Sequence, residues 1–106
     1  MLNNIVLVGR LKELHLEENN EAVITLSVPR SFKNEDGEYL IDYIDCLLRG
    51  NIAKNTIEYC KSDDIIGVKG RIETTQDIDE NNNIFNKKMI VVADKVTFLS
   101  SHNNND

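Results

Sequence analysis

The chain has 106 residues, which is enough for one compact domain and too few for two. Apolar residues make up 41% of it and charged residues 28%, so a soluble globule with a buried core is expected. No apolar run approaches the roughly 20 residues that cross a bilayer, so no membrane span is predicted. The net charge of -6 argues against attracting nucleic acid by the field of the whole molecule.

The N-terminus and the cysteines indicate the compartment. Residues 5–8 form a short apolar run that lacks a charged segment and a small-residue cleavage site, so they predict a strand and not a signal peptide. Parity alone would allow a disulfide, but without a secretory signal Cys46 and Cys60 are expected to be reduced, cytoplasmic thiols. Neither they nor His15 and His102 have metal-ligand spacing, so no metal or cofactor is predicted. No candidate nucleophile has a paired base, so no catalytic residue is predicted.

Apolar patterning predicts three strands in the first half of the chain. Residues 4–11 form the first, and the largely alternating residues 22–28 form the second. Pro29 marks an edge or a bulge where the second strand ends. Residues 34–37 are a turn that contains the Asp-Gly hairpin signal, and residues 39–49 are the third strand.

The two faces of the third strand differ in composition. The even-numbered face is expected to point into the core and consists of Leu40, Asp42, Ile44, Cys46 and Leu48. The odd-numbered face is aromatic and mixed, which is unusual for a plain solvent face, and consists of Tyr39, Ile41, Tyr43, Asp45, Leu47 and Arg49.

The second half contains one helix and two strands. Residues 51–61 repeat at helical spacing, with Asn51 as the predicted N-cap. Residues 66–73 form the fourth strand, whose two glycines suggest a bend or a close backbone approach. Residues 75–83 are an acidic, Asn-rich loop. The last strand covers residues 85–99 and is expected to break at Ala93-Asp94.

This order of elements predicts the fold. Three strands, one helix and two strands are typical of the all-β OB-fold, a five-stranded Greek-key barrel with its helix between strands 3 and 4. A five-stranded barrel with a single short helix also occurs in other small folds. Residues 1–100 are the predicted domain, and residues 101–106 are a disordered polar tail.

Five segments of the chain, in order, resemble those of bacterial single-stranded-DNA-binding proteins. They are residues 1–11 (MLNNIVLVGRL), 28–34 (VPRSFKN, where the family usually has Asn in place of Pro), 42–46 (DYIDC), 66–72 (IGVKGRI) and 91–99 (VVADKVTFL). None is a strict motif, but their order agrees with the independently predicted strand order. The chain is therefore identified as a member of this family.

The resemblance implies a protein that binds single-stranded DNA without sequence preference and protects it during replication, recombination or repair. It implies a homotetramer built from two dimers, with an exposed first strand that offers an edge for pairing between chains. It also implies a cytoplasmic, nucleoid-associated location. The recruitment tail of typical members is expected to be absent, since the chain stops at Asn-Asn-Asn-Asp.

Such binding needs aromatic faces that stack on bases and cations that neutralise phosphates. By resemblance, Phe32 and Tyr43 fill two of the family's stacking positions. Arg49 stands where the family usually has another aromatic, and a guanidinium plane can also stack on a base. Gly67 and Asp77 stand at positions that are often aromatic, which removes stacking surface.

The candidate DNA-binding set adds the nearby cations and aromatics to these positions. Outer faces of the first, third and fourth strands are neighbours in such a barrel, so Arg10, Arg49 and Arg71 are expected to share one surface. Acidic residues cluster mostly in turns, so a local basic groove is compatible with the negative total. The full set is Arg10, Arg30, Phe32, Lys33, Tyr39, Tyr43, Arg49, Lys69, Arg71, Phe85, Lys87 and Lys88.

Each of these residues also has a structural interpretation. Tyr39 and Tyr43 would serve equally as cross-strand pairs on a half-buried sheet, and Phe85 as a cap on the barrel end. Lys69 and Arg71 would serve as solubilising charges. Three further residues are expected to be structural only: Phe98 in the core, Tyr59 in helix packing, and Lys12 in an ion pair with Glu13 or Glu17.

A second function from another class remains open. The barrel would then be a protein-interaction module, such as a primosome-type accessory, with weak or no DNA binding. The few aromatics and the net charge of -6 favour this alternative, whereas Arg30, Phe32 and Tyr43 favour DNA binding. An enzyme is the least supported class.

Overall fold

The computed structural model describes residues 1–100, and the predicted polar tail at 101–106 lies outside the described residues. The strand and helix order matches the one predicted from sequence. The elements are β1 (Ile5–Leu16), β2 (Glu21–Lys33), β3 (Tyr39–Arg49), α1 (Gly50–Tyr59), β4 (Ile65–Ile78) and β5 (Ile84–Ser100).

The strands close into a barrel in the order β1-β2-β3-β5-β4, with β4 pairing back onto β1. All ladders are antiparallel except the short parallel contact of Cys46 and Leu47 with Val91 and Val92, which joins β3 to β5. This topology, with α1 between β3 and β4, is the OB-fold, as predicted.

The core lies inside the barrel and is built from alternate residues of every strand. Ile24, Leu26, Cys46 and Leu48 are completely buried, and β4 adds Ile66 and Val68. The helix covers one end of the barrel with Ala53 and Thr56. Because apolar burial contributes about 25 cal/mol per Å2, this interior is the main source of stability.

The inward face predicted for β3 is correct only for its second half. Cys46 and Leu48 are buried, but Leu40 is 44% exposed and Asp42 is half-buried. The reason is that β2 and β3 continue past the barrel as a two-stranded extension. We call residues 29–41 the β2–β3 arm.

The turn at the tip of the β2–β3 arm is made by Asn34 and Gly37. The Asn34 side-chain oxygen accepts hydrogen bonds of 2.9 Å from the backbone N–H groups of Asp36 and Glu38. Gly37 has a φ of 78°, which glycine adopts without strain. The predicted irregularity at Pro29 is confirmed by a register shift between Pro29 and Lys33.

A second extension is formed by β4 and β5. Residues 74–89 are all exposed, and we call them the β4–β5 arm. The loop predicted at 75–83 is therefore too long, because β4 continues to Ile78, and Ile78 pairs with Ile84 of β5. The break predicted at Ala93-Asp94 is a register irregularity instead, since Gly70 pairs with Ala93 and Lys69 with Lys95, which leaves Asp94 between the two pairs.

Only one of the two glycines predicted to mark a close approach in β4 needs to be glycine. A Cβ on Gly70 would lie 2.9 Å from the Val92 carbonyl carbon, which is a backbone atom and cannot move aside. At Gly67 the nearest atom would be a Leu99 methyl at 3.6 Å, an ordinary contact. On β1, a Cβ on Gly9 would lie 2.6 Å from the Ser27 carbonyl oxygen. Gly9 and Gly70 therefore let neighbouring strands cross closely.

Several local expectations are wrong. The helix starts after Arg49 as N-cap, with no side-chain capping bond, and not after Asn51. Phe98 is 47% exposed and is not a core residue; its ring centroid lies 6.3 Å from that of Tyr59. Lys12 pairs with Asp63 at 2.7 Å, and not with Glu13 or Glu17.

The expected free edge of the first strand is present only in part. β1 pairs with β4 from Ile5 to Arg10 and with β2 from Arg10 to Leu16. Each half of the strand is thus paired on one side, because the partner of β1 changes from β4 to β2 at Arg10. Within residues 1–100, no helix is long and apolar enough to cross a membrane.

Candidate nucleic-acid interface

The outer surface of β1, β2 and β3 carries a row of three residues in register. Ser27 lies opposite Arg10 on one side and opposite Tyr43 on the other. Strands lie about 4.8 Å apart, so the Arg10 and Tyr43 backbones are about 10 Å apart, with a short, buried serine between them. A cation and an aromatic ring therefore lie on either side of one short side chain.

Three aromatic side chains are exposed on or next to the β2–β3 arm. Phe32 is 69% exposed, Tyr39 54% and Tyr43 64%. Tyr39 and Tyr43 point to the same side of β3, since four residues separate them along the strand. The single ring–ring contact within residues 1–100 joins Tyr59 and Phe98, so these three rings have faces available for stacking on bases.

Cross-strand aromatic packing does not account for the two tyrosines. The partner of Tyr43 in register is Ser27, and the partner of Tyr39 is Lys33. The Lys33 ammonium lies 5.6 Å from the centroid of the Tyr39 ring, a cation–π distance. Lys33 forms no ion pair with the rest of the described chain, so it combines a positive charge with an aromatic ring at one point of the arm.

The Arg30 side chain is held by a carboxylate. Its Nε donates to both oxygens of Asp42 at 3.2 Å, and its Nη2 donates to Oδ1 at 2.9 Å. These bonds lower the pKa of Asp42 and raise that of Arg30 from their ordinary values. The pair spans β2 and β3 at the register shift of the arm, and both side chains are nearly half exposed to solvent.

The other arginines also have partners. Arg49 donates to Glu21 at 3.1 Å across the β2–β3 ladder. Arg71 binds Glu73 and Asp94, each at 2.6 Å. Arg10 donates through Nη1 to the backbone carbonyl of Asp63 at 3.3 Å.

The surface expected to join Arg10, Arg49 and Arg71 does not form. Arg10 of β1 pairs with Ile65 of β4. Ile65 is six residues, or about 20 Å, from Arg71 along β4. Arg49 is likewise six residues from Tyr43 on β3. The strands are neighbours as expected, but the register places the three arginines at separate points.

Lys69 also lies away from the aromatic face. Its neighbours in register are Val6 on β1 and Lys95 on β5. Neither of these strands carries Phe32, Tyr39 or Tyr43, so the structure does not bring Lys69 together with the exposed rings.

The remaining candidates lie on the β4–β5 arm. Phe85 is opposite Asp77 and 47% exposed, so it does not cap the barrel. Lys87 and Lys88 are exposed on the same strand. The tip is closed by Asp79, which accepts backbone hydrogen bonds from Asn81 and Asn83 that lower its pKa.

Sequence reasoning missed the carboxylates that hold the arginines. Asp42 was expected to point to the core, and Glu21 was not among the predicted site residues. Asp42 is 12 residues from Arg30 and Glu21 is 28 from Arg49, so no local pattern signals either pair. Only the cross-strand register of β2 with β3 would have revealed them.

The described residues offer no reactive thiol and no metal cluster. Burial raises the pKa of Cys46 to about 12 and that of Cys60 to about 11, so both thiols remain neutral at ordinary pH. Within residues 1–100, no group of His, Cys, Asp and Glu is arranged to hold a metal ion.

Comparison with known proteins agrees with this geometry. A barrel of this order with exposed rings on one face is characteristic of OB-fold proteins that bind single-stranded nucleic acid. The model of the single-strand binding protein family matches residues 2–99. The chain belongs to the single-strand binding protein family.

Two curated relatives are similar over nearly the whole chain. Single-stranded DNA-binding protein B of Bacillus subtilis is 40% identical over 105 residues, which cover 93% of this chain and 91% of the relative. The single-stranded DNA-binding protein of Halalkalibacterium halodurans is 41% identical, again over 93% of this chain, but the match covers 61% of its own length.

Solved structures share the fold at low sequence identity. The small single-stranded DNA-binding protein of Streptomyces coelicolor has a TM-score of 0.65 and 15% identity, over 93% of this chain and 96% of that one. A Plasmodium falciparum SSB, solved in complex with ssDNA, has a TM-score of 0.70 and 18% identity, over 94% and 97%.

Proposed function

We propose that the chain binds single-stranded DNA without sequence preference and protects it during replication, recombination or repair. The observation that carries this proposal is the group of exposed, unstacked rings of Phe32, Tyr39 and Tyr43 on one arm and the adjoining strand. Exposed apolar groups that cluster on one surface are typical of interaction sites. Family membership and the names of the relatives support the same ligand.

Each element of this surface has a physical role in binding. Phe32 and Tyr43 stack on bases, which tolerates any sequence because every base has a π-face. Lys33 and Arg10 meet phosphates beside those rings. Lys87 and Lys88 extend the phosphate contacts along the β4–β5 arm, with Phe85 as an added ring. Lys69 and Arg71 contribute less, because the register places them away from the exposed rings.

We also propose a homotetramer, a dimer of dimers, located in the cytoplasm with the nucleoid. Val6 and Val8 are 70% and 52% exposed on the outer face of β1, where each half of the strand is paired on one side. A second chain would cover these valines. Membership of a DNA-binding family favours binding and not catalysis, so no enzymatic activity is proposed.

The alternative is a protein-interaction module with weak DNA binding. It is favoured by the ion pairs of Arg30, Arg49 and Arg71 with carboxylates, which leave few arginine charges for phosphates. The two proposals predict different responses to oligonucleotides.

Fluorescence anisotropy of labelled oligo-dT across a sodium chloride series separates them. Strand coating predicts tight binding at low salt that weakens as the salt concentration rises. It also predicts equal affinity for a mixed-sequence oligonucleotide and no competition by duplex DNA. No binding at low salt would refute it and leave the interaction module. Analytical ultracentrifugation tests the assembly, because a monomer would contradict the proposed tetramer.

A further inference from the structure

We infer that Asp42 and Glu21 act as built-in counter-ions that limit how tightly, and with what salt dependence, the chain holds single-stranded DNA. They do so by occupying Arg30, which lies beside the exposed rings, and Arg49, which lies at the C-terminal end of β3. This inference rests on the proposed function and names two residues that regulate it.

The geometry of the first pair favours this role. Arg30 lies two residues from Phe32, and Asp42 lies next to Tyr43. Three hydrogen bonds of 2.9 to 3.2 Å, from Nε and Nη2, join the two side chains, so the positive charge lies directly against the Asp42 carboxylate. A phosphate that approached Arg30 would meet a neutral pair.

The second pair repeats the arrangement at the other end of β3. Arg49 is the last residue of β3, and Glu21 is opposite it in register. Its Nε is 3.1 Å from the Glu21 carboxylate. The two pairs therefore neutralise the arginines at both ends of the strand that carries Tyr43.

Ion exchange explains why such pairs change the salt dependence. When a cation meets a phosphate, the salt ions held by the strand are released, and each phosphate neutralised steepens the slope of log K against log salt by about 0.7. While Arg30 stays paired with Asp42 it neutralises no phosphate, so no salt ions are released on its account. Binding is then less sensitive to salt than the number of arginines suggests.

The four side chains of the two ion pairs are partly exposed to solvent. The Arg30 and Asp42 side chains are 44% and 45% exposed, and those of Arg49 and Glu21 are 51% and 32% exposed. Pairs in water are weak, so removing one member should not unfold the barrel. Replacing Asp42 with asparagine is therefore expected to release Arg30 as a phosphate ligand in a folded protein.

The test compares Asp42→Asn with a control that removes the same charge. Asp45 is on the same strand but accepts a hydrogen bond from Thr25 at 2.7 Å and pairs with no arginine in residues 1–100. We expect D42N to bind oligo-dT about fivefold more tightly at low salt and to steepen the slope by about 0.7. D45N is expected to leave the slope unchanged. Equal slopes in D42N and D45N would overturn the inference.

A double variant tests whether Arg30 already contacts the strand. Arg30→Met with Asp42→Asn replaces a neutral pair by another neutral pair, so its affinity should stay within about twofold of the parent. A large loss with a shallower slope would show that Arg30 meets a phosphate in the parent, and would overturn the inference. Glu21→Gln, alone and with Arg49→Met, repeats the design, and circular dichroism melts confirm that each variant folds.

Failure of the inference and failure of the proposed function give different results. If the parent binds and D42N and E21Q bind with unchanged slopes, only the counter-ion role is wrong. If the parent, D42N and E21Q all fail to bind at low salt, the proposed function is wrong and the inference falls with it.

Discussion

The barrel and the two arms bury their side chains to very different degrees. In the barrel, Ile24, Leu26, Cys46 and Leu48 are completely buried. In the β4–β5 arm every residue from 74 to 89 is exposed, and in the β2–β3 arm only Asn34 is half-buried. The barrel therefore supplies the free energy of folding, while the arms expose apolar surface that only a ligand or partner would cover.

This difference assigns separate consequences to substitutions in the two regions. A change in the barrel should alter the free energy of unfolding, and a change in an arm should alter binding at constant stability. A barrel variant that loses affinity for DNA while remaining fully stable would contradict this separation of roles. An arm variant that unfolds the protein would contradict it as well.

The largest effect is expected at the close strand crossing in the barrel. Gly70→Ala forces a Cβ against the Val92 carbonyl, and overpacking of this kind costs about 3 kcal/mol of unfolding free energy. Gly67→Ala is the matched control, since its Cβ meets nothing closer than 3.6 Å. Urea unfolding followed by circular dichroism measures both. A G70A variant as stable as G67A would contradict the close crossing.

The next effect concerns an arm. Phe32→Ala should weaken oligo-dT binding by the equivalent of about 1–3 kcal/mol, because one stacking ring is lost. Its melting temperature should not change, since the ring is 69% exposed. Tyr59→Ala is the control, because this tyrosine is 62% exposed but lies on the helix. Equal losses of affinity in F32A and Y59A would remove the β2–β3 arm from the binding surface.

A smaller effect is expected from the buried thiol as pH rises. Burial raises the pKa of Cys46 from 9.0 to about 12, so the fold favours the neutral thiol. This stabilisation is complete below pH 9 and is lost as pH rises toward about 12, by about 1 kcal/mol at pH 10. The unfolding free energies of the parent and of Cys46→Ala should therefore converge above pH 9. A difference between them that stays constant with pH would refute this.

The smallest effect is a gain on the β4–β5 arm. Asp77→Tyr places a ring beside Phe85, its partner in register, and is expected to tighten oligo-dT binding about threefold. Asp77→Asn is the control, since it removes the charge without adding a ring. If both variants improve binding equally, charge and not stacking limits this arm.

The sequence predicts the parts of the fold that have local causes. The bounds of β3 are correct because Asn34 and Gly37 form a turn before it and the helix follows it directly. Pro29 predicts the irregularity in β2 because proline cannot donate to a ladder. The segment from Thr75 to Ile78 was misread as loop, since its acidic and polar residues pair with β5 outside the core and so lack apolar alternation.

The candidate site is less predictable because it depends on register. Exposure of Phe32 and Tyr43 follows from their positions in a turn-bounded arm and on an odd-numbered strand face. The partners of Arg30 and Arg49 depend on which residues face each other across β2 and β3, and a shift of one residue would reverse the faces. The predicted arginine surface failed for the same reason.

The acidic turns have a consequence for how molecules would share one strand. Glu17 and Glu18 lie between β1 and β2, Glu35 and Asp36 at the tip of the β2–β3 arm, and Glu80 at the tip of the other arm. Two molecules bound side by side would bring such tips together, and their repulsion extends over a Debye length of about 8 Å at physiological salt. Rising salt would then weaken the binding of each molecule to the DNA while allowing neighbouring molecules to bind closer together. Packing density along the strand and affinity for it would change in opposite directions.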